Sequence, residues 1–417
     1  MSKNNENKLL PKLRFPEFLQ DREWKQEVLG EICDYWNGGS HENGVIDDGE
    51  YNLISLNSID IYGNLKQTMK KLSYTDNSLQ RNDLVMVLSD VAHGNFLGLT
   101  DIIPNEKYVL NQRMAGLRIK KLSFANPQFI RTYINKNQKY FKRKGQGSSQ
   151  LNLSKSSVTE FPVLKPPTLE EQQKIGACLH SLDTVIRDEG KKLEVLKEHK
   201  KGLLQNLLPQ EGEMVPKVKF KEFADSGEWV DGTLIDLCEI NPKVSQLPDE
   251  FVYIDLESVD KGKLQQKKII KREEAPSRAQ RFLTDRDVIY QTVRPYQRNN
   301  YHFKKNDDFD YVASTGYAQL RAYQSSDFLF QLIHTDSFVS KVIEKCSGSN
   351  YPAVNSTDLS KIEILFPANL NEQQKIASTL SSIDELITAQ AQKIEALQLH
   401  KKGLLQGLFP KINEVTE

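Results

Sequence analysis

Cysteine is scarce in this chain. Cys33, Cys178, Cys238 and Cys346 are the four among 417 residues, and none forms a C-x-x-C pair. That argues against a zinc knuckle and against a dithiol redox motif. Cys33 in "LGEICDYW" and Cys238 in "LIDLCEIN" are expected to be small buried thiols. Long apolar runs are also missing, and none approaches the roughly 20 residues that span a bilayer. The opening "MSKNNENKLL" has no apolar signal-peptide core, so a cytoplasmic protein without a membrane partner is expected. The seven histidines include no H-x-x-x-H pair, and no metal site is expected. A G-x-x-x-x-G-K-[ST] phosphate loop is absent, which argues against ATP binding.

Net charge is absent as well, because 56 lysines and arginines balance 56 aspartates and glutamates. The distribution is uneven. From Lys107 to Lys155 there is no acidic residue, while Arg113, Arg118, Lys120, Lys121, Arg131, Lys136, Lys139, Lys142, Arg143 and Lys144 all fall inside. From Lys261 to Lys305 basic residues again far outnumber the acids Glu273, Glu274, Asp285 and Asp287. Such segregation is the footprint of a polyanion-binding face. The alternative is an ordinary solvated surface whose balancing acids come from elsewhere in the chain.

What the chain does have is a second copy of itself. "EQQKIGACLHSLDTVIRDEGKKLEVLKEHKKGLLQNLLP" starts at Glu171, and "EQQKIASTLSSIDELITAQAQKIEALQLHKKGLLQGLFP" starts at Glu372. "PKLRFPEF" from Pro11 matches "PKVKFKEF" from Pro216. Trp24, Leu29 and Cys33 match Trp229, Leu234 and Cys238. "VLNQRMAGLR" from Val109 lines up with "VASTGYAQLR" from Val312. The ends of each half agree and the middles differ, so two like frames hold unlike contents. The organisation expected is a globular domain over 1–164, a helical region over 165–210, a second globular domain over 211–366 and a second helical region over 367–417.

The two long segments carry apolar residues at alternating spacings of three and four. The first series is Ile175, Leu179, Leu182, Ile186, Leu193 and Leu196. The second is Ile376, Leu380, Ile383, Ile387, Ile394 and Leu397. A repeat of 3.5 residues signals a coiled-coil seam, interrupted at Glu189 and Lys200 and at Gln390 and Lys401. Each helix is expected to pair antiparallel with the other. A helix of 39 residues would be roughly 58 Å long, or about 17 base pairs of DNA. Thr168 is a candidate N-cap with Glu171 at capping-box spacing, and Pro209 should stop the first helix.

At this point the chain resembles a known family, the specificity subunit of bacterial Type I restriction–modification enzymes. The residues that carry the resemblance are "PKLRFPEF" with Trp24, "P-x-L-x-E-Q-Q-K-I" opening a long helix that ends in "KKGLLQ" at Lys200–Gln205 and Lys401–Gln406, and "TVRPYQRN" followed by "ASTGYAQLR". It implies a mixed α/β fold of two tandem target-recognition domains separated by two long antiparallel helices. Each domain would read one half of a split, asymmetric double-stranded DNA site. The helices would set the spacer and dock two copies of a DNA adenine methylation subunit, which recruit restriction and translocase subunits. S-adenosylmethionine, ATP and magnesium would belong to those partners, leaving this chain without a cofactor or catalytic residues.

The residues agree with such a role. Adenine methylation needs an acidic-or-Asn-Pro-Pro-aromatic motif, and the nearest string, "NPQF" at Asn126–Phe129, reads instead as the start of a helix, "PQFIRTYINKNQKYF". "DLESVDKGK" at Asp255–Lys263 places carboxylates near a lysine as a nuclease would, yet the first half has Ser55 and Asn57 at the matching places. The rivals are a stand-alone tandem DNA-binding protein and a coiled-coil scaffold.

Reading DNA requires hydrogen-bonding side chains for base edges and cations for phosphates. In the first half the candidates are Ser89, His93 and Asn95 in "LSDVAHGNFLG", then Gln112 and Arg113. Lys139, Lys142, Arg143 and Lys144 beside a Gly/Ser loop would clamp phosphate. In the second half they are Gln291, Thr292, Arg294, Tyr296, Arg298 and Asn299, with Ser314 and Thr315 in the place of Gln112 and Arg113. Unlike contents imply a target that is not palindromic.

Overall fold

We describe a computed structural model of the chain over residues 9–410, leaving out Ala92, Glu211, Ser245 and Ser349. The polar opening stretch at 1–8 and the last seven residues lie outside the described residues. The chain forms two compact bodies. One takes residues up to Gly190 together with those from Lys393 onward, and the other takes Lys191–Gln392. No described helix is long and apolar enough to cross a membrane.

In the first body the main strands are β1 (Cys33–Asn37), β2 (Tyr51–Ile54), β3 (Leu84–Val87), β4 (Thr100–Ile102), β5 (Tyr108–Leu110) and β6 (Met114–Ile119). One antiparallel sheet has the order β1-β6-β3-β4. In a second sheet β2 and β5 run parallel, Leu53 facing Val109. The chain passes from one sheet to the other at a corner, Asn111–Arg113, between β5 and β6.

The second body repeats this plan. Its strands are β7 (Cys238–Ile240), β8 (Glu250–Ile254), β9 (Val288–Gln291), β10 (Tyr301–His302), β11 (Tyr311–Ser314) and β12 (Tyr317–Ala322). Their sheet has the order β7-β12-β9-β10, and β8 and β11 run parallel in the other sheet. The frame is the same in both copies. The second adds Ala279–Leu283 on the outer side of β11.

Both frames use the same ion pair, a buried aspartate held by a partly exposed arginine. Arg118 donates from Nε and Nη2 to the two carboxylate oxygens of Asp83 at 2.8 and 2.7 Å, and Arg321 does the same to Asp287 at 2.9 and 2.8 Å. A two-pronged guanidinium–carboxylate contact fixes orientation as well as distance. Cys33 and Cys238, the first residues of β1 and β7, are buried, and burial pushes both thiols up to about 12.

The helices follow the sheets. In the first body Asn126 caps α1 (Pro127–Lys136), its side chain accepting from Phe129 N at 3.0 Å. The segment "PQFIRTYINKNQKYF" is two helices rather than one. Asn137 interrupts it, its side-chain amide donating to Tyr133 O at 2.8 Å, and α2 (Gln138–Lys144) follows. The long helix α3 is Leu169–Leu207. In the second body α4 (Ser326–Leu332) and α5 (Asp336–Glu344) precede the long helix α6 (Leu370–Gly407).

Each body is completed by the end of a long helix that started in the other sequence half. In the first body Leu408 and Phe409, just past α6, join the core of Trp24, Phe129, Tyr133 and Phe161. The Phe409 ring lies 5.9 Å from Trp24 and 5.7 Å from Tyr133. In the second body Leu207 and Leu208 join Trp229, Phe328 and Phe338. Leu13 N donates to Gly407 O at 2.9 Å, and its counterpart Val218 N donates to Asn206 O at 2.9 Å. The "KKGLLQ" ending found in both copies leads into this plug, with Leu404 and Leu405 packed against the first core and Leu203 and Leu204 against the second.

The seam residues divide into two groups. Ile175 and Leu179 belong to the core of the first body, and Ile376 and Leu380 to that of the second. Leu182, Ile186, Leu193, Leu196, Ile383, Ile387, Ile394 and Leu397 are half-buried, as expected for a two-helix seam. Within the first body Lys393 pairs with Glu189 and Lys401 pairs with Asp183, so the two helix segments run antiparallel. Two of the polar interruptions of the heptads, Glu189 and Lys401, thus pair between helices.

Candidate nucleic-acid interface

Much of the first basic run is neutralised. Lys107 pairs with Glu50 at 3.0 Å, Arg118 with Asp83, Lys120 with Asp34 at 4.0 Å and Arg131 with Asp101 at 2.8 Å. In the second run Lys267 pairs with Asp307, Arg272 with Asp249, and Lys305 with Asp310. Acids distant in sequence supply the balance, so charge density along the chain overstates the basic face. In the first body α2 carries a cluster of cations, of which Lys139, Arg143 and Lys144 are exposed and Lys142 is half-buried. Lys142 Nζ donates to the Asn95 side-chain oxygen at 3.1 Å, and the Lys144 ammonium lies 5.9 Å from the Tyr140 ring. The Lys142 contact ties α2 to the 89–98 segment, as do the bonds from Gln138 Nε2 to Asn95 O at 2.7 Å and Leu97 O at 3.1 Å.

That segment is not wholly a loop. Ser89–Val91 is a short strand paired with Gln150–Asn152. Ser89 is buried, donating to Asn152 Oδ1 at 2.6 Å and accepting from Gln150 Nε2 at 2.5 Å. Its hydroxyl is committed to the frame. His93 and Asn95 are exposed beyond it, and Asp90 organises the turn by accepting from Phe96 N at 2.8 Å.

The corner between β5 and β6 is an open polar site. Gln112 and Arg113 are exposed at its tip. They border a cleft of about 580 Å³ also lined by Glu42, Asn57, Thr68 and Lys70. Asn111 fixes the corner, donating to Glu42 Oε1 at 2.8 Å and accepting from His41 N at 3.2 Å. Sequence reading found the tip but missed Asn57, Thr68 and Lys70, because no local pattern links residues that only the fold assembles.

In the second body several expected readers are internal. Gln291 is buried, its amide donating to Gln297 Oε1 at 2.9 Å and its oxygen accepting from Asn299 N at 3.2 Å. Thr292 donates to Gly316 O at 2.8 Å, and the buried Ser314 hydroxyl accepts from Gly316 N at 3.2 Å. These side chains shape the corner instead of standing out from it. Arg298 donates to His334 O at 3.0 Å and pairs with Asp336 at 2.6 Å. Asn299 Oδ1 accepts from Lys261 N at 3.2 Å, and Thr315 is half-buried. Two groups stay outward. Tyr296 is exposed, and the Arg294 guanidinium stacks 4.4 Å from the ring of exposed Tyr351. Arg294 and Arg298 both hold left-handed backbones, at φ of 55° and 53°, flanking Pro295–Gln297. Asp255 is a turn cap, accepting from Ser258 N at 2.9 Å and Ser258 Oγ at 2.7 Å, which accounts for the first carboxylate of "DLESVD".

Two similar bodies with unlike tips fit a comparison with known proteins. The model of the Type I restriction modification DNA specificity domain matches residues 21–198 and again 227–399. The chain belongs to this family. The MjaVIII specificity subunit of a Type I restriction enzyme from Methanocaldococcus jannaschii is 22% identical over 425 residues, covering 95% of this chain and 93% of the relative. The MjaIX specificity subunit of the same organism is 26% identical over 143 residues, covering 32% of this chain and 33% of the relative. A crystal structure of the Type I restriction–modification S subunit from M. genitalium superposes with a TM-score of 0.67 at 12% identity, covering 97% of this chain and all of that one, which shows a shared fold.

The family-like "EQQKI" motif has a structural job in this specificity chain. Glu171 is fully buried and takes Arg14 Nε and Nη2 at 2.8 and 2.7 Å. Gln172 accepts from Asn126 N at 3.0 Å and donates to Phe124 O at 3.2 Å. The capping box expected at Thr168 is therefore half formed. Thr168 Oγ1 accepts from Glu171 N at 3.4 Å, but the carboxylate goes to Arg14, a stronger charge-assisted partner than a backbone N–H. In the second copy Glu372 instead accepts from Ser226 Oγ at 2.8 Å and Trp229 Nε1 at 3.3 Å.

Proposed function

We propose that the chain reads a split, asymmetric double-stranded DNA target, one half-site per body, on behalf of partner subunits. The observation that carries this is one frame used twice with different corner residues. The same sheet order and the same parallel strand pair end in Asn111-Gln112-Arg113 in one copy and Ser314-Thr315-Gly316 in the other. Unlike side chains on like corners give unlike half-sites.

On this reading Lys139, Lys142, Arg143 and Lys144 hold phosphate, and Gln112, Arg113, His93, Asn95, Arg294, Tyr296, Arg298, Asn299 and Thr315 supply base or sugar contacts. Ser89, Gln291, Thr292 and Ser314 support them from inside. The long helices set the distance between half-sites and dock two copies of a DNA adenine methylation subunit, with restriction and translocase subunits joining in the full assembly. The chain itself is non-catalytic and carries no cofactor. S-adenosylmethionine, ATP and magnesium belong to the partners, in a bacterial cytoplasm.

The test is a segment exchange. Replacing 225–355 with the matching segment of a relative of different specificity should change one half-site and leave the other as it was. A change in both halves, or in neither, would refute the division of labour.

A further inference from the structure

The cleft beside the first corner pairs a rigid backbone with uncommitted side chains. Asn111 ties the corner to Glu42 and to His41 N, its own N donates to Ile54 O at 2.9 Å, and Arg113 O accepts from Leu88 N at 3.0 Å. Glu42 also takes Lys70 at 2.5 Å, so the cleft's carboxylate is fully engaged. By contrast, the side chains of Asn57, Thr68, Gln112 and Arg113 have no hydrogen-bond or ion-pair partner among the described residues. A fixed backbone presenting free polar groups loses little freedom when a ligand arrives.

Arg113 stands out within this set. Its backbone is left-handed, with φ of 67°, a conformation that glycine takes with less strain than arginine. The second copy has Gly316 at this place without the left-handed backbone, although Thr292 N donates to Gly316 O at 3.0 Å as Leu88 N does to Arg113 O. The left-handed turn at this corner therefore belongs to the first copy, and glycine in place of Arg113 would relieve its strain. Among the described residues the Arg113 side chain packs against no aromatic ring and meets no carboxylate. A free guanidinium forks onto the O6 and N7 acceptors of guanine, a pairing no other base edge offers in the major groove.

We propose that Arg113 reads a guanine in the half-site of the first body, and that the second body, with Gly316 in its place, makes no such contact at the equivalent position. Asn57 and Gln112 flank it with amides suited to an adjacent adenine. At the place of Asn57 the second copy has Glu257, an acceptor-only group that would suit the amino group of cytosine. This inference rests on the DNA-reading function proposed above.

The test uses the full-length chain in the complex purified from its host, selecting from a library of randomised DNA duplexes at fixed salt. Arg113→Gly removes the guanidinium and suits the backbone, so the fold is retained and the thermal midpoint should not fall. The wild-type complex should select a two-part motif. The variant should keep every position except one, where the preference for guanine falls about tenfold or more. Replacing that guanine by 7-deazaguanine, which lacks N7, should weaken the wild-type complex and leave the variant unaffected. An unchanged motif in the variant would overturn the assignment, as would a uniform loss of affinity with a shallower salt dependence, the mark of a phosphate contact. A wild-type complex that selects no motif would overturn the DNA-reading function itself.

Discussion

Lys200 and Asp384 join the late part of α3 to the early part of α6, with Lys200 Nζ 2.7 and 2.9 Å from the two carboxylate oxygens. Asp384 also accepts from Gln331 Nε2 at 3.0 Å. The counterparts of this pair by internal duplication are Lys401 and Asp183, which pair in the first body, where Asp183 also lies 3.5 Å from Arg131. Each aspartate therefore binds both a lysine of the opposite helix and a residue of its own domain. Coiled-coil seams are registered by such polar positions. Removing either aspartate, as Asp183→Ala or Asp384→Ala, should lower stability by about 1 kcal/mol, since the pairs are partly exposed. The double variant should show nearly additive losses in urea unfolding.

Arg14→Met leaves the carboxylate of Glu171 buried and unpaired. The cost should be about 3–5 kcal/mol. The matching change in the second copy, Lys219→Met, should cost under about 1 kcal/mol, because Lys219 donates to Ser226 Oγ and Gly227 O and not to Glu372. Parallel denaturant titrations of the two variants check this asymmetry, and equal losses would contradict it.

Phe409 lies outside α6 yet inside the core of the first body. Phe409→Ala should destabilise that body by about 3–5 kcal/mol. Limited proteolysis should then cut within the first body while fragments of the second persist.

His302 is buried against Ser326, its Nε2 3.1 Å from the hydroxyl, with Asp327 3.6 Å from Nδ1. Burial lowers its pKa to about 4, Asp327 opposes the shift, and Lys304 and Arg286 add to it. The unfolded histidine binds its proton near 6.5, well before the folded one does. Stability from this residue is therefore full above pH 6.5 and lost as pH falls toward 4, by about 2–3 kcal/mol. A His302→Gln variant should flatten that part of the stability–pH curve, which thermal melts across pH 7 to 4 would measure.

The long helices and the duplicated frame were readable from the sequence because their signals are periodic and repeated. Helix starts at Leu169 and Leu370 lie two residues from the repeated segments. The helix start within "NPQF" was local and equally visible. The burial of Ser89, Gln291, Thr292 and Ser314 was not readable, because a strand of three or four residues is too short to show which face is inside. The basic runs misled for a different reason. Glu50, Asp83 and Asp101 neutralise cations far from them in sequence. The cleft at the first corner escaped notice because Glu42, Asn57, Thr68 and Lys70 come together only after β2 and β5 pair.

The central claim is that two unlike bodies read two unlike half-sites for a methylating partner. Mapping N6-methyladenine across the genome of a methylation-free host tests it most directly, with this chain expressed together with its methylation subunit. The account predicts one asymmetric two-part motif with a fixed gap, methylated only when both chains are present. A palindromic or contiguous motif, or no methylation from a pair that co-purifies, would contradict it.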